Sequence, residues 1–139
     1  MKMRVYYEDT DAGGVVYHSN YLKFCERARS EIFFNKKVDI FDASKGHFLL
    51  TKANCNFLKP AKLGDMIEIK TKILEVKNAS VEILQEIYKD EILFFKMEST
   101  LAFIKNEKPA RMDMQLKSSL KNYFNSSKLA CLPCIRRTL

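Results

Sequence analysis

The chain has 139 residues, 47% of them hydrophobic and 29% charged, a balance that fits one globular domain and excludes a disordered or low-complexity chain. No apolar run approaches the roughly 18 residues of a membrane span. Residues Met1 to Val5 lead straight into a strand-like pattern rather than an apolar leader, so a cytoplasmic protein with no integral membrane association is expected. Lys and Arg total 24 against 17 acidic residues, a net charge of +7. Lys128, Arg136 and Arg137 supply +3 of it from residues 126–139, where no acid stands, leaving +4 for the body. That excess suits an anionic small molecule; a nucleic-acid partner is not expected, because neither a dense basic face nor a recognisable module is visible.

In chain order, residues 3–7 read as a short strand, followed by a turn-rich stretch over 8–14. The strongest helical signal runs from Ser19 to Phe34, where Tyr21, Phe24, Cys25, Ala28 and Ile32 recur at three- and four-residue steps and form one apolar face. Ser19 or Asn20 is its expected N-cap. Residues 35–46 suggest a short helix or loop ending at Gly46. The pattern then switches to period two, predicting strands over 47–58, 66–77, 80–88 and 92–105, with turns at 59–65 and 89–91. A short amphipathic helix is expected over 113–124, with Leu116, Leu120, Tyr123 and Phe124 on one face. Residues 1–125 are thus read as the domain and 126–139 as a flexible basic tail.

One strand, one long apolar helix and four long strands joined by turns describe an α+β fold, an antiparallel sheet of about five strands wrapped around one central helix. With so little helix to cover the sheet, a partner copy is expected, making the chain a homo-oligomer. Cys25 and Cys55 fall in periodic segments and read as small apolar core residues. The pair Cys131 and Cys134 has redox or metal spacing, but lacks the βαβ frame or the further ligands those chemistries need, so no metal site is expected.

The chemically dense stretch is Tyr7, Asp11, Gly13, Gly14, Tyr17 and His18, placed immediately before the long helix. Free amides and the macrodipole at a helix N-terminus favour negative charge and would stabilise an oxyanion forming from a carbonyl. Gly13 and Gly14 remove side chains from the approach. Asp11 is a carboxylate that could face the same spot as nucleophile or general base, which is what acyl hydrolysis needs. Ordinary turn and cap chemistry would also place Asp and Gly before a helix.

The stretch YYEDTDAGGVVYHSNYLKFCERAR, residues 6–29, resembles the signature of the 4-hydroxybenzoyl-CoA thioesterase family. It is most similar to the YbgC-type acyl-CoA thioesterases associated with the Tol–Pal cell-envelope system, and weaker similarity continues through residues 57–65 to about residue 110. The resemblance implies the hot-dog fold, dimers or tetramers (dimers of dimers) with sites at subunit interfaces, and hydrolysis of short- to medium-chain or aromatic acyl-CoA in lipid metabolism. It also implies Asp11 as the catalytic carboxylate, His18 as the backbone donor to the thioester carbonyl, and Tyr7 as a site-lining residue orienting Asp11. Gly13, Gly14 and Tyr17 would then line the substrate site, and Lys59 and Lys62 would meet coenzyme A phosphates. Arg27 and Arg29 are weaker phosphate candidates, since they could simply pair with acids nearby. Coenzyme A is here part of the substrate, and no separate cofactor is implied; acyl carrier protein is a second acyl donor to consider. Gly46-His47-Phe48 resembles a dehydratase histidine motif but lacks its proline and paired acid. A dehydratase and a non-catalytic acyl-CoA-binding protein of the envelope or lipid machinery are the competing readings.

Overall fold

The computed structural model describes residues 1–35 and 45–130, of which 35 and 123–130 are described by backbone alone. The expected helix or loop over 35–46 falls mostly outside these residues, as do Cys131 and Cys134. The elements are β1 (Lys2–Arg4), a 3-10 turn (Tyr7–Asp9), α1 (His18–Asn35), β2 (His47–Phe57), β3 (Met66–Val76), β4 (Ser80–Lys89), β5 (Ile92–Lys105), β6 (Lys108–Pro109) and α2 (Met114–Ala130). The strands form one antiparallel sheet in the order β1-β3-β4-β5-β2, with β6 paired to β5. An α+β arrangement with a helix against an antiparallel sheet is therefore what the chain adopts.

Alternation explains the sheet's buried face. Ile67, Ile69 and Ile73 of β3, Val81, Ile83 and Ile87 of β4, and Phe95, Met97, Leu101 and Phe103 of β5 are all buried, each set at period two. The face of α1 that meets them carries Tyr21, Phe24, Cys25 and Ala28, also buried, while Ile32 is half-buried. Phe24 and Phe95 are essentially inaccessible, and burying each stabilises the fold by about 2–3 kcal/mol. A second apolar cluster gathers Ile73, Ile83, Leu101 and Phe103 with Met112 and Leu120, with Phe33 of α1 packed against it. Cys25 is fully buried, and burial pushes its thiol up to about 12, so it behaves as a small apolar residue.

The sequence expectation and the structure part company in three places. The first strand ends at Arg4 rather than continuing to residue 7. The Asp9 carboxylate accepts the Tyr6 amide at 2.9 Å, and this local bond folds Tyr7–Asp9 into a 3-10 turn instead of extended chain. Neither Ser19 nor Asn20 caps α1, because the helix starts at His18 and holds both in its first turn. Helix α2 runs to Ala130, past the end expected from its apolar face; Leu120 is buried and Leu116 half-buried on it. The Asp90-Glu91 pair between β4 and β5 has φ of 50° and 68°, the left-handed geometry of a two-residue hairpin turn.

Candidate active site

Residues 9–17 form a small hairpin ahead of α1. The Tyr17 amide donates to the Asp9 carbonyl at 3.0 Å, the Asp11 amide to the Val15 carbonyl at 2.9 Å, and the Gly14 amide to the Asp11 carbonyl at 3.1 Å. Thr10 and Val16 face each other across it as an isolated bridge. Its return limb is stitched to the turn after β2: Val16 donates to the Ala61 carbonyl at 2.8 Å and Leu63 to the Gly14 carbonyl at 3.1 Å, while Val15 bridges Lys62.

Asp11 is exposed at the tip. One oxygen, Oδ1, accepts the amides of Gly13 at 2.8 Å and Val15 at 3.4 Å. Its Oδ2 has no hydrogen-bond partner among the described residues. The carboxylate is thus held by one oxygen with the other available for chemistry. A side chain at position 13 would set its Cβ 3.3 Å from Asp11 Oδ1, so glycine permits that close approach. Gly14 sits at φ +79°, which an L side chain rarely adopts.

His18 opens α1, and its ring lies 4.2 Å from that of Tyr17, centroid to centroid. Both side chains are exposed. The Asn20 amide donates back to the Tyr17 carbonyl at 2.8 Å. The amides of His18 and Ser19 have no partner among the described residues, as expected for the first positions of a helix. Open N–H groups at a helix start are the kind of donor that can stabilise an oxyanion.

The structure also sorts the remaining candidates. Tyr7 is 82% exposed, and its carbonyl accepts from Thr10 Oγ1 at 3.1 Å; its hydroxyl makes no bond to Asp11 within the chain, where the Gly13 and Val15 amides hold the carboxylate instead. Lys62 is brought directly beside the hairpin by the Val15 bridge. Lys59 stands at the start of the same turn, its amide on the Phe94 carbonyl at 3.0 Å, and makes no hydrogen bond to the hairpin. Arg29 does not serve the mouth of the site: it is 9% exposed and donates through Nη1 to Gln85 Oε1 at 2.8 Å. Burial lowers its pKa, against the pull of Cys25 and Glu26. Arg27 is exposed on α1.

Several residues that position the site carry no clear signal in the sequence. Tyr21, buried and stacked on Phe95 at 4.9 Å, accepts the Ala61 amide on its hydroxyl at 3.0 Å and so fixes the Lys62 turn. Asp9 and Asn20 are joined at 3.1 Å. Within the same turn as Lys62, Asp65 accepts from Lys89 Nζ at 2.9 Å and from the Lys62 amide at 2.8 Å. Burial alone would raise the Asp65 carboxyl, but these bonds and the two lysine charges outweigh it and hold it below its ordinary value. Among the described residues no group of three or more His, Cys, Asp or Glu is placed to hold a metal ion, and no helix is long and apolar enough to cross a membrane.

Comparison with known proteins adds an independent line. The sequence profile of the thioesterase superfamily matches residues 13–94. An acyl-CoA thioesterase YbgC from Helicobacter pylori is 51% identical over 88 residues, 63% of this chain and 65% of the relative; the matched part therefore spans slightly less than two thirds of that protein. An acyl-CoA thioester hydrolase YbgC from Escherichia coli O6:H1 is 42% identical over 93 residues, 64% of this chain and 68% of the relative. Among solved structures, a probable thioesterase from Bartonella henselae superposes with a TM-score of 0.74 at 32% identity, covering 81% of this chain and 97% of that one. The profile takes in the glycine turn, α1 and the sheet through the start of β5, and the Bartonella structure shares the architecture along nearly its whole length. On both grounds the hot-dog fold is confirmed, and the chain belongs to the thioesterase superfamily.

Proposed function

We propose that the chain is an acyl-CoA thioesterase in which Asp11 is the reacting carboxylate. The observation that carries the reading is the state of that side chain. One oxygen is pinned by the Gly13 and Val15 amides, and the other has no hydrogen-bond partner among the described residues, at the exposed tip of a hairpin that leads into the open amides of α1. The relatives named as acyl-CoA thioesterases support the substrate class.

The thioester carbonyl oxygen takes the His18 and Ser19 amides, which draws electron density from the carbonyl carbon. Asp11 then follows one of two routes. As nucleophile its oxygen adds to that carbon, the C–S bond breaks, coenzyme A leaves as thiolate and takes a proton from solvent, and water cleaves the mixed anhydride. As general base it accepts a proton from water, whose oxygen adds to the carbon, and the proton passes to the departing sulfur. Either way the products are free acid and coenzyme A, and no separate cofactor is required. Single turnovers in heavy-oxygen water test the anhydride route: label found in the Asp11 carboxylate identifies water attack on the aspartyl carbon of the anhydride. The His18 ring and Tyr17 flank the approach, and Lys62, with Lys59 behind it, meets the phosphates of coenzyme A.

The acyl group we assign is short- to medium-chain or aromatic, with acyl carrier protein as an alternative donor, and the place of action is the cytoplasm. The setting implied by the YbgC resemblance is envelope lipid metabolism alongside Tol–Pal. A homodimer or homotetramer is the proposed assembly. Its support is β2, a strand of 11 residues at the edge of the described sheet with Leu49, Leu50 and Phe57 exposed on it and Leu58 exposed just after it, since a long open edge invites pairing with another chain. Light scattering reads the mass directly.

The deciding experiment is thiol release from a series of acyl-CoAs of increasing chain length, wild type beside Asp11→Asn. Turnover should be present in the wild type and fall by roughly a thousandfold or more in the variant. A folded wild type that binds acyl-CoA without hydrolysing it would instead support the binding-protein reading, and water addition to an enoyl thioester would support the dehydratase.

A further inference from the structure

Two residues outside the catalytic set stand out because they are buried, polar and joined to each other. Asp9 is 3% exposed and Asn20 8%. Asp9 uses its whole polar complement. Its amide donates to the Tyr6 carbonyl at 3.0 Å and its carbonyl accepts Tyr17 at 3.0 Å. Its Oδ2 accepts the Tyr6 amide at 2.9 Å and its Oδ1 accepts Asn20 Nδ2 at 3.1 Å. Among the described residues no cation stands within ion-pair distance of this carboxylate, so neutral N–H donors alone satisfy it. Burying a carboxylate on such terms is costly unless every bond is made.

The position of the pair gives that arrangement a purpose. Asp9 closes the base of the hairpin two residues before Asp11, and Asn20 lies in the first turn of α1 two residues after His18. Their bond is a buried side-chain link between the element that carries the carboxylate and the element that carries the proposed oxyanion donors. We propose that Asp9 and Asn20 are positioning residues, whose buried hydrogen bond sets the register of Asp11 against the His18 and Ser19 amides. The inference rests on the reading of Asp11 as the reacting group. Without that link the hairpin base keeps its backbone bond to Tyr17 but loses its side-chain tether to the first turn of α1, and a displacement of about 1 Å between reacting groups costs up to roughly a hundredfold in rate.

The test uses Asn20→Ala, Asn20→Asp and the exchanged pair Asp9→Asn/Asn20→Asp in the full chain. Alanine removes the donor. Aspartate sets two carboxylates against each other. In the exchanged pair the amide at position 9 keeps an acceptor for the Tyr6 N–H and donates to the new carboxylate at position 20, restoring the bond in reverse. In protein shown to be folded by circular dichroism, both single variants should lose kcat by about 10- to 100-fold with KM within about twofold, and the exchanged pair should regain most of it. A purely structural pair would lower the melting temperature and leave kcat per folded molecule unchanged. Full kcat in folded Asn20→Ala overturns the proposal, as does a folded exchanged pair that recovers nothing. Hydrogen exchange at the Gly13 and Val15 amides gives a readout independent of turnover: it should accelerate in Asn20→Ala and return in the exchanged pair. Unchanged exchange there sinks the positioning role even if the wild type hydrolyses nothing, whereas an inactive wild type with accelerated exchange in the variant sinks only the thioesterase reading. Should Asn20→Asp fail to fold, Asn20→Ala decides.

Discussion

Two of the buried polar anchors of helix α1 differ in reach. At its start, Asp9 and Asn20 are 11 residues apart in the chain and flank the hairpin that carries Asp11. Farther along, Gln85 of β4 accepts from Arg29 and donates to the Cys25 carbonyl at 2.8 Å and to Thr71 Oγ1 at 3.1 Å, bonds that span 56 and 60 residues to the helix. The first ties the helix to the chemistry. The second ties it to the middle of the sheet, beneath a helix face that is otherwise apolar. On the proposed reading the first anchor sets where the reacting groups stand, while the second ties the helix to the sheet.

That division makes different predictions for the rate. Gln85→Leu leaves the buried Arg29 guanidinium without its acceptor, and chemical denaturation should show a loss of about 3 kcal/mol, with kcat within about threefold of wild type. Adding Arg29→Met should recover most of the stability, since an apolar pair of similar volume replaces the orphaned charge. Asn20→Ala leaves an oxygen of the buried Asp9 carboxylate unpaired, a comparable cost of about 2–3 kcal/mol, but here kcat of the folded protein should fall by about 10- to 100-fold. A Gln85→Leu enzyme as slow as Asn20→Ala would dissolve the distinction.

The smallest effect lies in the turn that flanks the hairpin. The folded Asp65 carboxyl is held below its ordinary value of 3.8, at which the unfolded chain titrates. Its bonds to Lys89 and Lys62 therefore add stability above that value, and the contribution is lost as pH falls through the lower folded one. The stability gap between wild type and Asp65→Asn, read from denaturation midpoints, should be constant from neutral pH down to about 5 and close below about 4. A gap that persists in acid would show that the Asp65 bonds do not depend on its charge.

Much of the fold is legible in the residue pattern. Period-two alternation in β3 marks Ile67, Ile69 and Ile73 as inward, and all three are buried. Three- and four-residue spacing marks the buried stripe of α1, apart from Ile32, which is only half covered. The carboxylate, the glycines and the helix start are legible as a cluster because they are contiguous in the chain. Asp9 is not, because nothing in Glu8-Asp9-Thr10 distinguishes a solvated turn acid from one buried against a helix. Arg29 is misleading for a related reason: a basic residue on an amphipathic helix looks solvent-facing until the partner beneath it is known.

Local pattern alone thus determined the long helix and the four long strands, which of their faces are apolar, and that a carboxylate and two glycines precede a helix, since those properties depend on near neighbours in the chain. Only the tertiary structure decided that Gln85 meets Arg29, that Tyr21 steadies the Lys62 turn, and that Asn20 turns from cap to anchor. Each of these depends on a hydrogen-bond partner supplied by a distant or oppositely running segment, and burial removes the water that would otherwise take its place.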